Sequence, residues 1–325
     1  MRHSGIMDGD VTAAVAAGVT SIDTVMAGER ELNAVYLINA AEPCLVETGP
    51  GADHDRLMTA LGELGVGPRD LAHIVVTHIH MDHAGGAGAL LQRFPRATVW
   101  VHEAGARHLL DPERLVASTA RTYGQDRMLA LYGVMRSVPS ERVRVVTDGD
   151  EVSLGDRALH VIHTPGHASH HVALHEDGSG AMFTGEAIGS YLPWASCFRP
   201  ALPPPEVDLQ AALDSVRRIA APRPTALLTS HFGAVPDVVD ATERAAERIR
   251  EWAEDVRRIL TADPGASQGE VAACLMRRAR DDFQTDANRA FEQDRYDVLG
   301  SITMNAQGLS RYWRKRWERE AQEPD

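Results

Sequence analysis

The sequence predicts an α+β protein whose mixed strands and helices are followed by an all-helical extension. Short β-branched runs, such as residues 74–76, alternate with segments of helical spacing, such as residues 55–64. From residue 237 onward the chain is charged and helix-like, without a strand signal. We therefore expect a loosely ordered N-terminal segment (1–20), a main domain (21–236) and a helical C-terminal extension (237–325) that acts as a lid or a dimer contact.

Each strand is predicted from a short apolar run bounded by turn-forming residues. In chain order the runs are residues 22–26, 34–39, 44–46, 71–76, 98–101, 142–146, 158–163, 172–174, 181–184 and 225–229. Helical spacing of apolar residues predicts helices at 55–64, 87–94, 208–219, 237–260 and 268–283. Residues 103–135 are helical or loop-like, and the proline-rich residues 193–205 predict a long loop.

Composition and charge limit the classes of function. With 44% hydrophobic and 24% charged residues among 325, the chain has the composition of a soluble globular protein. Its net charge of −13 argues against a nucleic-acid partner. We expect no membrane partner either, because no apolar run reaches the roughly 18 residues needed to span a bilayer. Three dispersed cysteines without a CxxC pair, and no signal pattern at the N-terminus, predict a cytoplasmic protein.

A cluster of metal-ligand residue types follows the apolar run at 74–76. His78, His80, Asp82 and His83 lie within six residues, just before two glycines. At the extended end of a strand, side chains two residues apart point to the same side, so His78 and His80 can bind one cation together. Asp82 and His83 follow after the chain turns and can hold a second cation nearby.

Three further strand-like runs end in a residue that can bind a metal. His167 follows the run at 158–163, Glu186 follows the run at 181–184, and His231 follows the run at 225–229. A single histidine of this kind is more often structural, but the same position recurring at several strand ends favours one shared metal site.

These motifs together resemble the metallo-β-lactamase superfamily. The resemblance covers residues 20–235 and rests on the pattern His78-x-His80-x-Asp82-His83, the segment Thr164-Pro165-Gly166-His167, the Gly185-acid pair, Ser230-His231 and the early turn Leu45-Val46-Glu47-Thr48-Gly49. It implies a four-layer αβ/βα sandwich with a metal site at one edge of two mixed sheets.

The resemblance also implies a ligand set for two divalent metal ions, with zinc favoured and iron or manganese as alternatives. The first metal would be held by His78, His80 and His167, and the second by Asp82, His83 and His231. Glu186 stands where the family usually has a bridging aspartate, and Glu47 stands where many members have an aspartate that supports the ligand loop. The longer Glu186 leaves open whether it bridges both metals, binds one or changes the metal preference.

The implied activity is hydrolysis. A metal-bound hydroxide would attack an ester, thioester or lactone carbonyl, with Asp82 as the catalytic residue that receives or shuttles a proton. This resembles the glyoxalase II, lactonase and thioesterase branches. An alternative is an iron-dependent oxidoreductase, dioxygenase-like or diiron, because the carboxylate of Glu186 suits iron. The intact ligand set argues against a binding protein without catalysis.

The sequence also offers candidates for substrate contacts. His170, Tyr191, Trp194 and Arg199 are candidates for binding a small-molecule substrate, with ordinary loop packing as the alternative. Of the paired His170 and His171, we expect one to support the site or contact substrate and the other to face solvent. The apolar and tyrosine residues within 123–135 fit either the core or a cleft wall. A homodimer is left open.

Overall fold

The computed structural model describes residues 11–235, 237–287 and 290–322. Seven strands form the first sheet, in chain order from one edge to the other: β1 (Thr12–Ala16), β2 (Val19–Asp23), β3 (Ala34–Ile38), β4 (Cys44–Val46), β5 (His73–Val75), β6 (Thr98–His102) and β7 (Val143–Val146). The first four strands pair antiparallel, and β4 to β7 pair parallel. The parallel half brings the C-terminal ends of β4 and β5 side by side.

The second sheet contains six strands, which are β8 (Glu151–Ser153), β9 (Ala158–His163), β10 (Val172–Glu176), β11 (Ala181–Gly185), β14 (Ala226–Thr229) and β15 (Gly233–Val235). Their order across the sheet is β15-β14-β11-β10-β9-β8. The one parallel pair, β11 with β14, again places two strand ends together. A separate antiparallel pair joins β12 (Ser190–Leu192) to β13 (Cys197–Arg199).

Eleven helices complete the described part of the chain. They are α1 (His54–Glu63), α2 (Met81–Ala84), α3 (Ala87–Arg93), α4 (Glu103–Leu110), α5 (Glu113–Tyr123), α6 (Gln125–Tyr132), α7 (Leu209–Ala220), α8 (Val238–Ala262), α9 (Gln268–Ala287), α10 (Gln293–Tyr296) and α11 (Ser301–Glu320). Asp208 caps α7 by accepting one backbone N–H of the first turn, and Asp237 caps α8 by accepting two. None of the described helices is long and apolar enough to cross a membrane.

Three apolar clusters define four layers. One lies between the sheets and joins residues such as Tyr36 and Phe183. The second packs the first sheet against α1 and α3, through residues such as Leu61. The third packs the second sheet against α7, α8 and α9, through residues such as Trp252 and Phe283. Each sheet therefore has helices on its outer face and the other sheet on its inner face.

The N-terminal prediction was wrong for the part that the structure describes. Residues 1–10 lie outside the described residues, but β1 and β2 occupy most of the remainder of the segment 1–20. Val19 is buried between the sheets, and β2 completes its hydrogen bonds with β3. The Gly/Ala-rich composition hid this pairing because small residues carry little strand signal.

One further prediction differs in detail. The long loop predicted at 193–205 contains β13, which returns to pair with β12. The helices of the extension pack on the main domain and share one apolar cluster with β11 and β14, while its predicted role as a lid or a dimer contact stays a prediction. Trp313 of α11 donates its Nε1–H to the carbonyl of Ala253 in α8, which ties the helices to one another.

Candidate metal centre

The candidate ligands lie on loops that leave both sheets at one edge. His78 and His80 follow β5, and the short helix α2 carries Asp82 and His83. His167 lies between β9 and β10, Glu186 follows β11, and His231 follows β14. Backbone hydrogen bonds tie the two sheets together here: Val172 donates to the carbonyl of Thr77, and Ala34 donates to the carbonyl of Ser230.

Four of these side chains converge in a first group. His80 Nδ1 lies 3.0 Å from His78 Nε2 and 3.0 Å from His167 Nε2. Glu186 Oε2 lies 3.1 Å from His167 Nε2 and 3.4 Å from His78 Nε2. A tetrahedral zinc about 2.0–2.1 Å from each ligand would hold the ligand atoms about 3.3 Å apart. The spacing of this group therefore fits one cation.

The second group contains Asp82, His83 and His231. His231 Nε2 lies 3.2 Å from His83 Nε2 and 3.3 Å from Asp82 Oδ2. Glu186 contacts this group as well, with Oε2 3.4 Å from His83 Nε2 and Oε1 3.9 Å from His231 Nε2. The carboxylate of Glu186 thus contacts both groups, although glutamate stands here in place of the aspartate that is usual in the family that the sequence resembles.

Hydrogen bonds on the far side of the rings fix the orientation of the histidines. His167 Nδ1 lies 2.9 Å from the carbonyl oxygen of Ala201, and His231 Nδ1 lies 2.6 Å from that of Leu32. His78 Nδ1 lies 3.0 Å from Thr77 Oγ1. Because each Nδ1 has an acceptor, its proton stays there, and the lone pair on Nε2 points into the centre.

Glu47 supports the ligand loop from behind, as expected from the sequence. Its side chain is buried, and Oε1 accepts from Thr77 Oγ1, Ser230 Oγ at 2.9 Å and His83 Nδ1 at 3.1 Å. Oε2 accepts from the backbone N–H of Thr77 at 3.3 Å. One buried carboxylate therefore orders the loops after β5 and β14 together.

The prediction that one of His170 and His171 faces solvent was wrong, since both are buried. His171 Nε2 accepts from the backbone N–H of Glu186 at 3.1 Å, and its Nδ1 lies 2.8 Å from Thr164 Oγ1. His171 thus positions Glu186. Gly185 makes room for this contact, because a Cβ there would collide with His171 Nε2. The ring of His170 stacks on that of His78, with centroids 6.2 Å apart.

The two carboxylates of the centre, Asp82 and Glu186, need compensating positive charge. Burial raises the pKa of Asp82, but His83 and His231 outweigh burial and lower it to about 2. Burial opposes ionisation of Glu186 too, yet His167 foremost holds the pKa of that carboxyl well below its usual range. No lysine or arginine in the described part of the chain forms an ion pair with either carboxylate. The partly buried carboxylates and inward-facing imidazoles fit divalent cations such as zinc or iron.

A cavity of about 190 Å³ opens on the centre, and His80, Asp82, His167, Glu186 and His231 line its metal end. The remaining walls come from α5 and α6, the loop at 199–205, and residues 299–305 at the start of α11. Tyr123 and Tyr132 are among the lining residues, whereas Met128 and Leu131 pack in the core. The stretch 123–135 is therefore partly cleft wall and partly core.

Of the predicted substrate contacts, Arg199 lines this cavity, and Tyr191, Trp194 and His170 do not. The ring of Tyr191 packs against Phe198 at 5.1 Å. The ring of Trp194 packs against that of Phe283 in α9, with centroids 5.4 Å apart. Trp194 therefore contacts the extension. His170 lies behind His78. Tyr191 and Trp194 make these packing contacts because the segment from β12 onward folds onto the helical extension and not over the metal end.

Asn305 of α11 is a site residue that sequence reasoning missed. Its Oδ1 accepts from the backbone N–H of Leu202 at 2.8 Å, and its Nδ2 donates to the carbonyl of Pro200 at 2.9 Å. Between these two residues lies Ala201, whose carbonyl holds His167. The extension therefore helps to fix the loop that orients a candidate ligand. A lone asparagine in a helical pattern carries no sequence signal for such a role.

Comparison with known proteins agrees with this geometry. The sequence model described as the metallo-beta-lactamase superfamily matches residues 28–231. The metallo-beta-lactamase fold-containing protein ST1585 of Sulfurisphaera tokodaii is 27% identical over 205 residues, 62% of this chain and 74% of that protein. The solved structure of ST1585 from Sulfolobus tokodaii has a TM-score of 0.64 at 22% identity, covering 90% of this chain and 98% of that chain. The predicted four-layer fold is confirmed.

Two further relatives carry named activities. An acyl-coenzyme A thioesterase MBLAC2 of Gallus gallus is 37% identical over 136 residues, 40% of this chain and 47% of that protein. A hydroxyacylglutathione hydrolase of Aeromonas salmonicida is 31% identical over 158 residues, 49% of this chain and 47% of that protein. The chain spans about half the length of these two relatives.

Proposed function

Because the chain belongs to the metallo-beta-lactamase superfamily, we propose that it is a dinuclear zinc-dependent hydrolase that cleaves acyl thioesters of small molecules. The observation that carries the dinuclear proposal is Glu186, whose Oε2 contacts ligand atoms of both groups and whose Oε1 contacts the second group as well. His78, His80 and His167 would hold one cation, and Asp82, His83 and His231 the other. The hydrolase proposal follows from the relatives named above.

Bound at these residues, two divalent cations supply an activated water and polarise a substrate carbonyl at neutral pH. The chain's own residues provide orientation and proton transfer. Asp82 lines the cavity as a carboxylate, since its pKa is held at about 2, and it would pass the proton of the attacking water toward the leaving thiol. Burial raises the pKa of Tyr123 and Tyr132, so both phenols stay protonated and can donate to the substrate.

The thioester class is favoured among the carbonyl substrates by the two named relatives, one a thioesterase and the other a hydrolase acting on an acyl group carried by glutathione. Both carriers present the acyl group on a thiol. The cavity supports such a substrate, because residues 299–305 of the extension form a wall beside the candidate metal ligands. In this proposal the extension is a fixed wall of the site.

The experiment is metal analysis followed by a matched substrate panel. Protein purified anaerobically without added metal should contain about two zinc ions per chain. Acyl-CoA and acylglutathione thioesters should be cleaved faster than the oxygen ester and lactone of the same acyl chain. Zinc-loaded protein that cleaves esters or lactones but no thioester would overturn the substrate class. A metal-free chain with full activity would overturn the mechanism.

The second candidate is the iron-dependent oxidoreductase. It is favoured by the carboxylate content of the centre, where Asp82 and Glu186 face the ligand groups and Glu47 supports them. One or two iron atoms per chain, together with oxygen consumption by the reduced protein, would support it. Zinc in the purified protein, together with no oxygen consumption by a separate iron-loaded sample, would exclude it.

A further inference from the structure

Arg199 is buried beside the metal centre without a carboxylate partner. The residue lies in β13, is 3% exposed and lines the cavity. Its Nη1 donates to the carbonyl of Tyr296, its Nη2 lies 3.4 Å from Ser190 Oγ, and its guanidinium stands 5.3 Å from the centre of the Tyr296 ring. Its Nε has no acceptor among the described residues.

Two other arginines, the buried Arg248 and the partly buried Arg157, are paired differently. Arg248 lies 2.8 Å from Glu251 and 3.3 Å from Asp282, and Arg157 lies 2.8 Å from Glu176. For Arg199 no carboxylate of the described residues lies within ion-pair distance. Neutral carbonyl and hydroxyl acceptors do not offset the cost of removing a charge from water, so a buried unpaired cation is expensive. That cost is offset when an anion occupies the adjoining space.

We propose that Arg199 is the recognition residue for a carboxylate carried by the substrate. The proposal rests on the proposed hydrolase and names a substrate class for it: a thioester with a carboxylate close to the scissile carbonyl. Arg199 is the only arginine or lysine among the described residues that line the cavity. One cation matches a singly charged carboxylate better than a doubly charged phosphate, and Nε is the guanidinium donor that has no acceptor among the described residues.

The carboxylate has two sources, the acyl chain or the thiol carrier. Two thioesters separate them: succinyl-N-acetylcysteamine carries the charge in the acyl part, and butyryl-glutathione carries it in the thiol part. Butyryl-N-acetylcysteamine is the uncharged reference. We expect at least one charged substrate to exceed the reference about tenfold or more in kcat/KM, which is the size of a charged hydrogen bond.

A binding assay tests the site without turnover. Succinate and butyrate have similar chains, but only succinate has a second carboxylate. Isothermal titration of the metal-loaded wild type should show succinate binding about 10- to 100-fold more tightly than butyrate. Arg199→Met should remove that preference and leave butyrate affinity and metal content unchanged. Arg218→Met, which removes an exposed cation paired with Asp148, is the matched control and should keep the preference.

Each outcome has a distinct meaning. Equal binding of succinate and butyrate by the wild type overturns the proposal, whether or not the variants fold. If Arg199→Met loses metal or butyrate binding as well, the Arg199→Lys variant decides, because it keeps the charge. A lysine variant that has wild-type metal content but does not prefer succinate to butyrate overturns the proposal. An Arg199-dependent preference for succinate without thioester cleavage would keep the anion site and refute the hydrolase.

Discussion

Replacing Asn305 by alanine should weaken metal binding at a centre that this side chain does not contact. Asn305 is 2% exposed, and it holds Pro200 and Leu202 on either side of Ala201. The carbonyl of Ala201 is the acceptor that orients His167. Removal of the amide therefore frees the loop segment that presents the acceptor to a candidate ligand.

The magnitude follows from the hydrogen bonds that are lost. Alanine leaves the N–H of Leu202 and the carbonyl of Pro200 without this partner, and each buried unsatisfied group costs about 1–3 kcal/mol. We therefore expect the free energy of unfolding to fall by about 2–5 kcal/mol. A misplaced acceptor behind a metal-bound histidine typically costs 10- to 100-fold in metal affinity. The zinc dissociation constant should rise by about that factor.

The assay is competition for zinc between metal-free protein and a chromophoric chelator, with urea unfolding measured in parallel. Thr303→Ala is the matched control, because Thr303 is exposed on the same helix, two residues earlier. It should change neither quantity appreciably. Asn305→Asp should behave like alanine, since it keeps an acceptor for Leu202 but sets a carboxylate oxygen against the carbonyl of Pro200. If Asn305→Ala is destabilised yet binds zinc with the wild-type dissociation constant, the loop does not transmit the constraint to His167.

Three further predictions concern the ligands, their support and the extension. His80→Ala should remove most of the bound metal and the activity. Full activity in that variant would refute the site assignment. Glu47→Gln should raise the zinc dissociation constant about 10- to 100-fold. The amide NH₂ of the glutamine must face either the N–H of Thr77, which now donates to Oε2, or the groups that now donate to Oε1. An unchanged zinc affinity would show that the negative charge is unnecessary. Burial raises the pKa of Asp282 from 3.8 to about 6, so the folded state binds the proton more tightly than the unfolded state. Its contribution to stability therefore declines as pH rises from about 4 to about 6. Asp282→Asn should remove this decline in urea unfolding measured at pH 4.5 and 6.5, and an identical decline in both proteins would contradict the assignment.

The sequence by itself determined the order of the main elements and the positions of the candidate ligands. The run at 74–76 followed by His78 and His80 is a local pattern, and local patterns survive folding because alternation and strand ends are set by neighbouring residues. Glu186 and His231 were found for the same reason, since each follows a short apolar run. The family resemblance then supplied the four-layer arrangement, which periodicity alone does not encode.

Only the tertiary structure decided which distant groups complete the centre. The contacts of Asn305 with Leu202, of Arg199 with Tyr296 and of His171 with Glu186 depend on how separate elements pack, and single residue types carry no record of their partners. The same holds for β1 and β2, whose weak strand signal is overridden by pairing with β3. Whether a buried polar group is satisfied or left unpaired is a property of the packed chain, because its partner comes from another part of the sequence.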